Sequence, residues 1–153
     1  MIARTTKVAF LLLALAASGL GCKAAKQRKA AYAEAKDVLG QMERQLGQQI
    51  MTTGTFCPSA KALVPPQAPV GLVPVPAGAW NDEAWKCLKV TREQVWCQYG
   101  YQSNGKSDDQ AEATLTGLCD PNADGKPLKF EVKLKGTLTG DAERVSISQP
   151  PPQ

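Results

Sequence analysis

Lys129-Phe130-Glu131-Val132-Lys133-Leu134-Lys135 settles the fold class. Apolar and charged residues alternate along it without a break, which is the period of a strand with one dry and one wet face. The same alternation recurs on both sides. Downstream, Val145 and Ile147 alternate with Arg144, Ser146 and Ser148. Upstream, Ala113, Leu115, Gly117 and Cys119 mark one face of 112–119, and Val95, Cys97, Tyr99 and Tyr101 alternate with Trp96, Gln98 and Gly100. An antiparallel sheet solvated on one face produces this pattern. Residues 86–149 therefore read as a four-stranded antiparallel β-meander.

Turn residues set the expected register. A two-residue Gly140-Asp141 turn would pair Gly136 with Val145 and Leu134 with Ile147, so that inward residues meet. A loop centred on Asp108 would pair Tyr101 with Leu115 and Cys97 with Cys119. That parity favours a Cys97–Cys119 cross-strand disulfide, with Cys57–Cys87 tying the helix exit and the following loop to the sheet. Four cysteines allow three pairings, and the sequence leaves the other two open. Each bridge would contribute roughly 2–4 kcal/mol.

Ahead of the sheet, residues 24–51 read as one amphipathic helix. Tyr32, Ala35, Leu39, Met42, Leu46 and Ile50 form an apolar stripe among Lys, Glu, Gln and Arg, in an Ala-rich stretch without Pro. Packing onto the protein's own sheet fits so short a stripe better than a coiled-coil seam. Gly40 and Gly47 cost helix stability, which points to close approach of another backbone. Residues 55–85 contain six prolines between Pro58 and Ala79, too irregular for a core strand. Leu63, Val64, Val70, Leu72, Val73 and Val75 suggest that this loop lies against the domain. The expected architecture is α+β, one N-terminal helix packed on a disulfide-stabilised meander, with a frayed tail at 150–153.

The first 21 residues have the layout of an export signal: Arg4 and Lys7, then the apolar run Val8–Ala17, then the small-residue exit Ser18-Gly19-Leu20-Gly21 before Cys22. The run is too short to span a bilayer, which needs about 20 apolar residues. An exit ending in Cys resembles the lipobox of bacterial lipoproteins, although Gly19 stands where that family prefers Leu and Leu20 comes one place late. The resemblance implies diacylglyceryl attachment and acylation at Cys22. With Lys23 following, it implies an outer-membrane lipoprotein. Ordinary cleavage after Ala17-Ser18-Gly19 is the alternative, and gives a secreted protein. Cysteine parity favours lipidation, because removing Cys22 from five leaves an even set suited to an oxidising compartment. Arg4 and Lys7 leave with the leader, so sixteen cationic side chains then face fourteen anionic ones. Such a balance leaves no electrostatic footprint for nucleic acid.

Trp80 and Trp85 before the sheet, Val95-Trp96-Cys97-Gln98-Tyr99 in its first strand, and Cys119-Asp120-Pro121-Asn122-Ala123-Asp124-Gly125 between later strands resemble landmarks of type IV pilin and pseudopilin headgroups. Pilins keep their hydrophobic segment and carry an acidic residue early in it; here the apolar run has no such residue and is expected to be removed. The resemblance therefore implies a pilin-like headgroup tethered by lipid, with an envelope, pilus or secretion-system protein as partner, and not a polymerising subunit.

One chemical motif stands out. Asp120, Asn122, Asp124, the Lys126 carbonyl and Glu131 match the D-x-[DN]-x-[DN]-G-x₅-E calcium loop. Pro127 and a following strand depart from the helical setting of that loop, and an Asx-rich turn explains the same residues. Any calcium would be structural and weakly held; no cofactor is required. The chain has no His, so imidazole bases and ligands are excluded. Asp108 and Asp109 are adjacent rather than positioned as an acid/base pair, the cysteines lack C-x-x-C spacing, and Asn104-Gly105-Lys106 lacks the P-loop spacing. Trp80, Trp85 and Trp96 are expected in the core. The expectation is a non-catalytic structural or binding accessory; the alternative is a secreted or periplasmic module for a small ligand or calcium.

Overall fold

The computed structural model describes residues 15–151, with side chains from residue 21 onward. Most of the expected leader and the last two tail residues lie outside the described residues. Helix α1 spans Leu15–Thr53 and runs unbroken through Cys22, starting earlier than residue 24. It buries Ala31, Ala35, Val38, Leu39, Met42, Leu46 and Ile50. Val38 joins the stripe, while Tyr32 sits on its flank with its ring 5.5 Å from Phe130. The helix stops at Gly54, whose positive φ of 74° lets its N–H return to the Ile50 carbonyl at 2.7 Å.

The sheet is an antiparallel meander of β3 (Cys97–Ser103), β4 (Glu112–Cys119), β5 (Leu128–Gly136) and β6 (Ala142–Ser148), in that order; β1 (Val73–Pro74) and β2 (Gln94–Val95) pair separately. Its inner face, including Tyr99, Leu115, Phe130, Val132 and Leu134, packs on α1 as the alternation requires. The β3–β4 register is the expected one, with Cys97 opposite Cys119 and Tyr101 opposite Leu115.

The β5–β6 register is not. Gly136 faces Ala142 and Leu134 faces Arg144, because the connection is a longer loop, Thr137–Asp141, closed by Thr137 N–H to the Asp141 carbonyl at 2.9 Å. A bulge then leaves Val145 unpaired and restores Ile147 opposite Val132. Val145 is 62% exposed and Ile147 43%, so neither is a core residue. A single helix about 10 Å across cannot cover four strands spaced about 4.8 Å apart. The outermost strand is tied to α1 through the Arg144–Glu43 ion pair, with Nε to carboxylate at 2.8 Å.

The Pro-rich segment is more ordered than its composition suggests. It runs along the outer edge of β3, exchanging Val64–Tyr99 backbone bonds at 2.9 and 2.7 Å. Strand β1 (Val73–Pro74) then pairs with β2 (Gln94–Val95). Val64 is buried and Val73 and Val75 pack on the core, while Leu63, Val70 and Leu72 remain exposed. Helix α2, Glu83–Leu88, bridges the expected loop–sheet boundary at 85/86. Asp82 caps it by accepting the Trp85 N–H at 3.1 Å. Trp80 and Trp85 are buried edge-to-face at 5.1 Å, and Trp96 is half-buried. Neither Gly40 nor Gly47 meets another backbone: the nearest atom to a Cβ at Gly40 is an Arg44 nitrogen at 3.5 Å, and Gly47 has open space.

Candidate functional site

Helix and sheet define an axis. At one end, the base, the Cys97 sulfur lies 3.6 Å from the Ala31 carbonyl oxygen, and Cys97 is bonded to Cys119. At the other end, the tip, Gly136 packs against Asp108 and Ile50. Each sequence-derived site residue can be placed on this axis.

Cys22 is the one cysteine outside a disulfide, and it is exposed. It precedes Ala31, the first buried residue among the described side chains of α1, by about 14 Å of helix at 1.5 Å per residue. The thiol therefore projects beyond the base, clear of the core. The other four cysteines form Cys57–Cys87, joining the helix exit to α2, and Cys97–Cys119, joining β3 to β4.

The Asp120–Lys126 turn sits at the base beside the helix. Asn122 Nδ2 donates to Asp124 at 2.9 Å, and the Lys126 N–H donates to the other Asp124 oxygen at 2.8 Å. These bonds, the backbone one foremost, hold the Asp124 carboxyl below its ordinary pKa. Arg28 donates to the Lys126 carbonyl at 3.0 Å and lies 3.6 Å from Asp124. The guanidinium thus engages the carbonyl and the carboxylate that a cation would need. Asp120 Oδ1 and Asn122 Oδ1 are enclosed without a hydrogen-bond partner. Glu131 is not gathered with them. It stands opposite Thr116 and Ser148 on the wet side of β5 and pairs with Lys133 at 3.2 Å. That position is about 10 Å up the strand from Leu128. The five residues therefore do not converge as one shell, and among the described residues no three His, Cys, Asp or Glu side chains gather to hold a metal.

A polar contact that the apolar stripe does not reveal joins α1 to the sheet. Glu34 accepts the Trp96 N–H at 2.9 Å and the Tyr99 hydroxyl at 2.8 Å. Desolvation raises the Glu34 carboxyl above its ordinary value despite these bonds. It also raises the Tyr99 phenol, with the Glu34 charge adding to the effect. The helix pattern offers a trace of this: Glu34 adjoins the buried Ala35, where a charge needs a partner. Asp37 and Arg92 form an ion pair nearby.

No protein-family model, curated protein or solved structure matches the chain.

One apolar depression of about 500 Å³ is lined by Pro65, Pro66, Pro69, Val70, Val73 and Pro76 among others, with no titratable side chain. A second, of about 270 Å³, lies on the wet face of the sheet among Lys61, Leu63, Gln102, Thr114 and Thr116. Lys61 is its one ionisable side chain apart from the buried Tyr101. Tyr101 donates its hydroxyl to the Cys57 carbonyl at 2.7 Å, a packing contact. No helix among the described residues is long and apolar enough to cross a membrane.

Proposed function

We propose that this protein is a lipid-anchored component of the cell envelope, a non-catalytic structural or binding accessory whose domain is pilin-headgroup-like. The observation that carries the reading is the position of Cys22. It is the odd cysteine, exposed and unbridged, on a helix that has left the core. Lipid attached there clears the domain without unfolding it. The leader-like residues before it and the even, fully bridged remainder support the same setting. Lys23 favours the outer membrane, and an envelope, pilus or secretion-system protein is the partner class. The helix-on-meander architecture supports the pilin-like reading of the domain.

Intact mass of the mature protein from native membranes, with fractionation of Cys22→Ala, tests this. Expected are a diacylated Cys22 at the N-terminus and release of the variant to the soluble fraction. An unmodified chain beginning at Leu20 would overturn the proposal in favour of a secreted or periplasmic module for a small ligand or calcium.

A further inference from the structure

The near-balance of charge over the expected mature chain, sixteen cations to fourteen anions, conceals a strong separation along the axis. The base carries Lys23, Lys26, Arg28 and Lys29 on α1, Lys126 in the turn that Arg28 grips, and Lys129 as the second residue of β5. Against these six cations stand Asp120, Asp124 and the half-buried Glu34, whose carboxylate accepts the Trp96 N–H beside Cys97. The tip carries Asp108, Asp109, Glu112, Asp141 and Glu143, with Lys106 and Lys135 as the cations among them. All the base lysines named are exposed.

Apolar groups join the cations at the base. Gly71 N–H donates to the Asp120 carbonyl at 3.2 Å, and Val70 bridges to Asp120, so the Pro69–Leu72 segment lies beside the same turn. There Val70 is 62% exposed and Leu72 45%. Exposed aliphatic side chains at the same end of the fold as exposed lysines match a bilayer interface: the aliphatics enter the headgroup–acyl boundary and the ammonium groups meet phosphates. Leu138 and Met51 are also exposed, toward the tip, but the acidic residues there repel an anionic surface.

We infer that the base of the domain is a docking surface for an anionic phospholipid bilayer, which sets the domain upright on its tether with the acidic tip turned away. This inference takes its setting from the envelope proposal above, but its contacts come from the fold. Each lysine near an anionic leaflet strengthens partitioning about fivefold.

The test uses the mature full chain carrying Cys22→Ala, so that no lipid contributes, in co-sedimentation with vesicles of phosphatidylcholine alone or with about 30 mol% phosphatidylglycerol. Expected is partitioning onto the anionic vesicles only, lost when salt rises from about 0.05 to 0.5 M. The double variant Lys126→Glu, Lys129→Glu should weaken it at least about 25-fold. Lys106→Glu, a single charge reversal at the tip, should leave it unaltered. Both variants alter exposed side chains and should melt with the parent. No binding to anionic vesicles at low salt, equal binding to neutral ones, or equal loss from Lys106→Glu would each overturn the inference. So would tight binding to a soluble polyanion such as heparin without vesicle binding. A protein found unlipidated that still binds anionic vesicles would remove the tether alone; a lipidated one whose Cys22→Ala form ignores them would remove this surface alone.

Discussion

Replacing glycine by alanine should act with opposite sign at two places in this fold. A Cβ at Gly136 would fall 2.0 Å from the Asp108 carbonyl oxygen and 2.7 Å from Ile50 Cδ1. An ordinary carbon–oxygen contact is about 3.3 Å, so the backbones must part by more than an ångström. Both are pinned. Gly136 N–H bonds to the Ala111 carbonyl at 2.9 Å, and Asp108 N–H to the Gly54 carbonyl at 2.8 Å. Overpacking costs about 1–3 kcal/mol, and weakening one such bond adds about 1 kcal/mol. Gly136→Ala should therefore lose about 2–4 kcal/mol, or about 8–16 °C in Tm at about 4 °C per kcal/mol for a domain of this size. At Gly47 a Cβ meets nothing, and at Gly40 only a mobile Arg44 tip. There alanine should stabilise by about 1 kcal/mol each. The sites lie two helical turns apart, about 10 Å, so the gains should add. Urea denaturation and thermal melts of the three variants and the Gly40/Gly47 double variant provide the measurement. A Gly136→Ala protein melting within about 2 °C of the parent would refute the close approach at the tip, and a destabilised Gly47→Ala would refute the open helix face.

Other consequences follow from the base and the core. Replacing either disulfide pair by serine should cost about 3–4 kcal/mol in urea denaturation, slightly more for Cys57–Cys87, whose sequence separation of 30 exceeds the 22 of Cys97–Cys119. Burial raises the Glu34 pKa in the folded state, so as pH rises the unfolded chain ionises first, near pH 4.3. Glu34's contribution is then full below that value and lost as pH climbs through the folded one. Glu34→Gln should remove this decline, so its stability relative to the parent should improve between about pH 4 and pH 7; a constant difference in urea midpoints across that range would contradict the burial argument. Calcium at about 1 mM should leave Tm unchanged while Arg28 occupies the Lys126 carbonyl. A rise in Tm would show that the turn releases Arg28 to accept the ion.

What the sequence disclosed and what it hid divide along a physical line. Strand alternation and helix spacing report burial on a repeating lattice, so β3, β4, β5 and the body of α1 were legible, and parity across the loop at Asp108 favoured the Cys97–Cys119 pairing without excluding the other two. The β6 register depended on a loop length that several turn types satisfy. Gly140 closes a turn back to Thr137 rather than opening a two-residue hairpin, and the bulge at Val145 then separates alternation from burial. Helix α2 is six residues, too short for periodicity, and only the Asp82 cap signals it. The calcium motif meets a related limit. A pattern of oxygens in sequence fixes their order but not the path of the chain, and a strand carries Glu131 away where a helix would return it. At the base, the informative fact is equally absent from any local window. Arg28 and Lys126 lie 98 positions apart, yet share a hydrogen bond. Charge that looks balanced along the chain becomes polar once α1 and β5 run the same way from the same end, and the surface proposed for the bilayer exists only because of that shared direction.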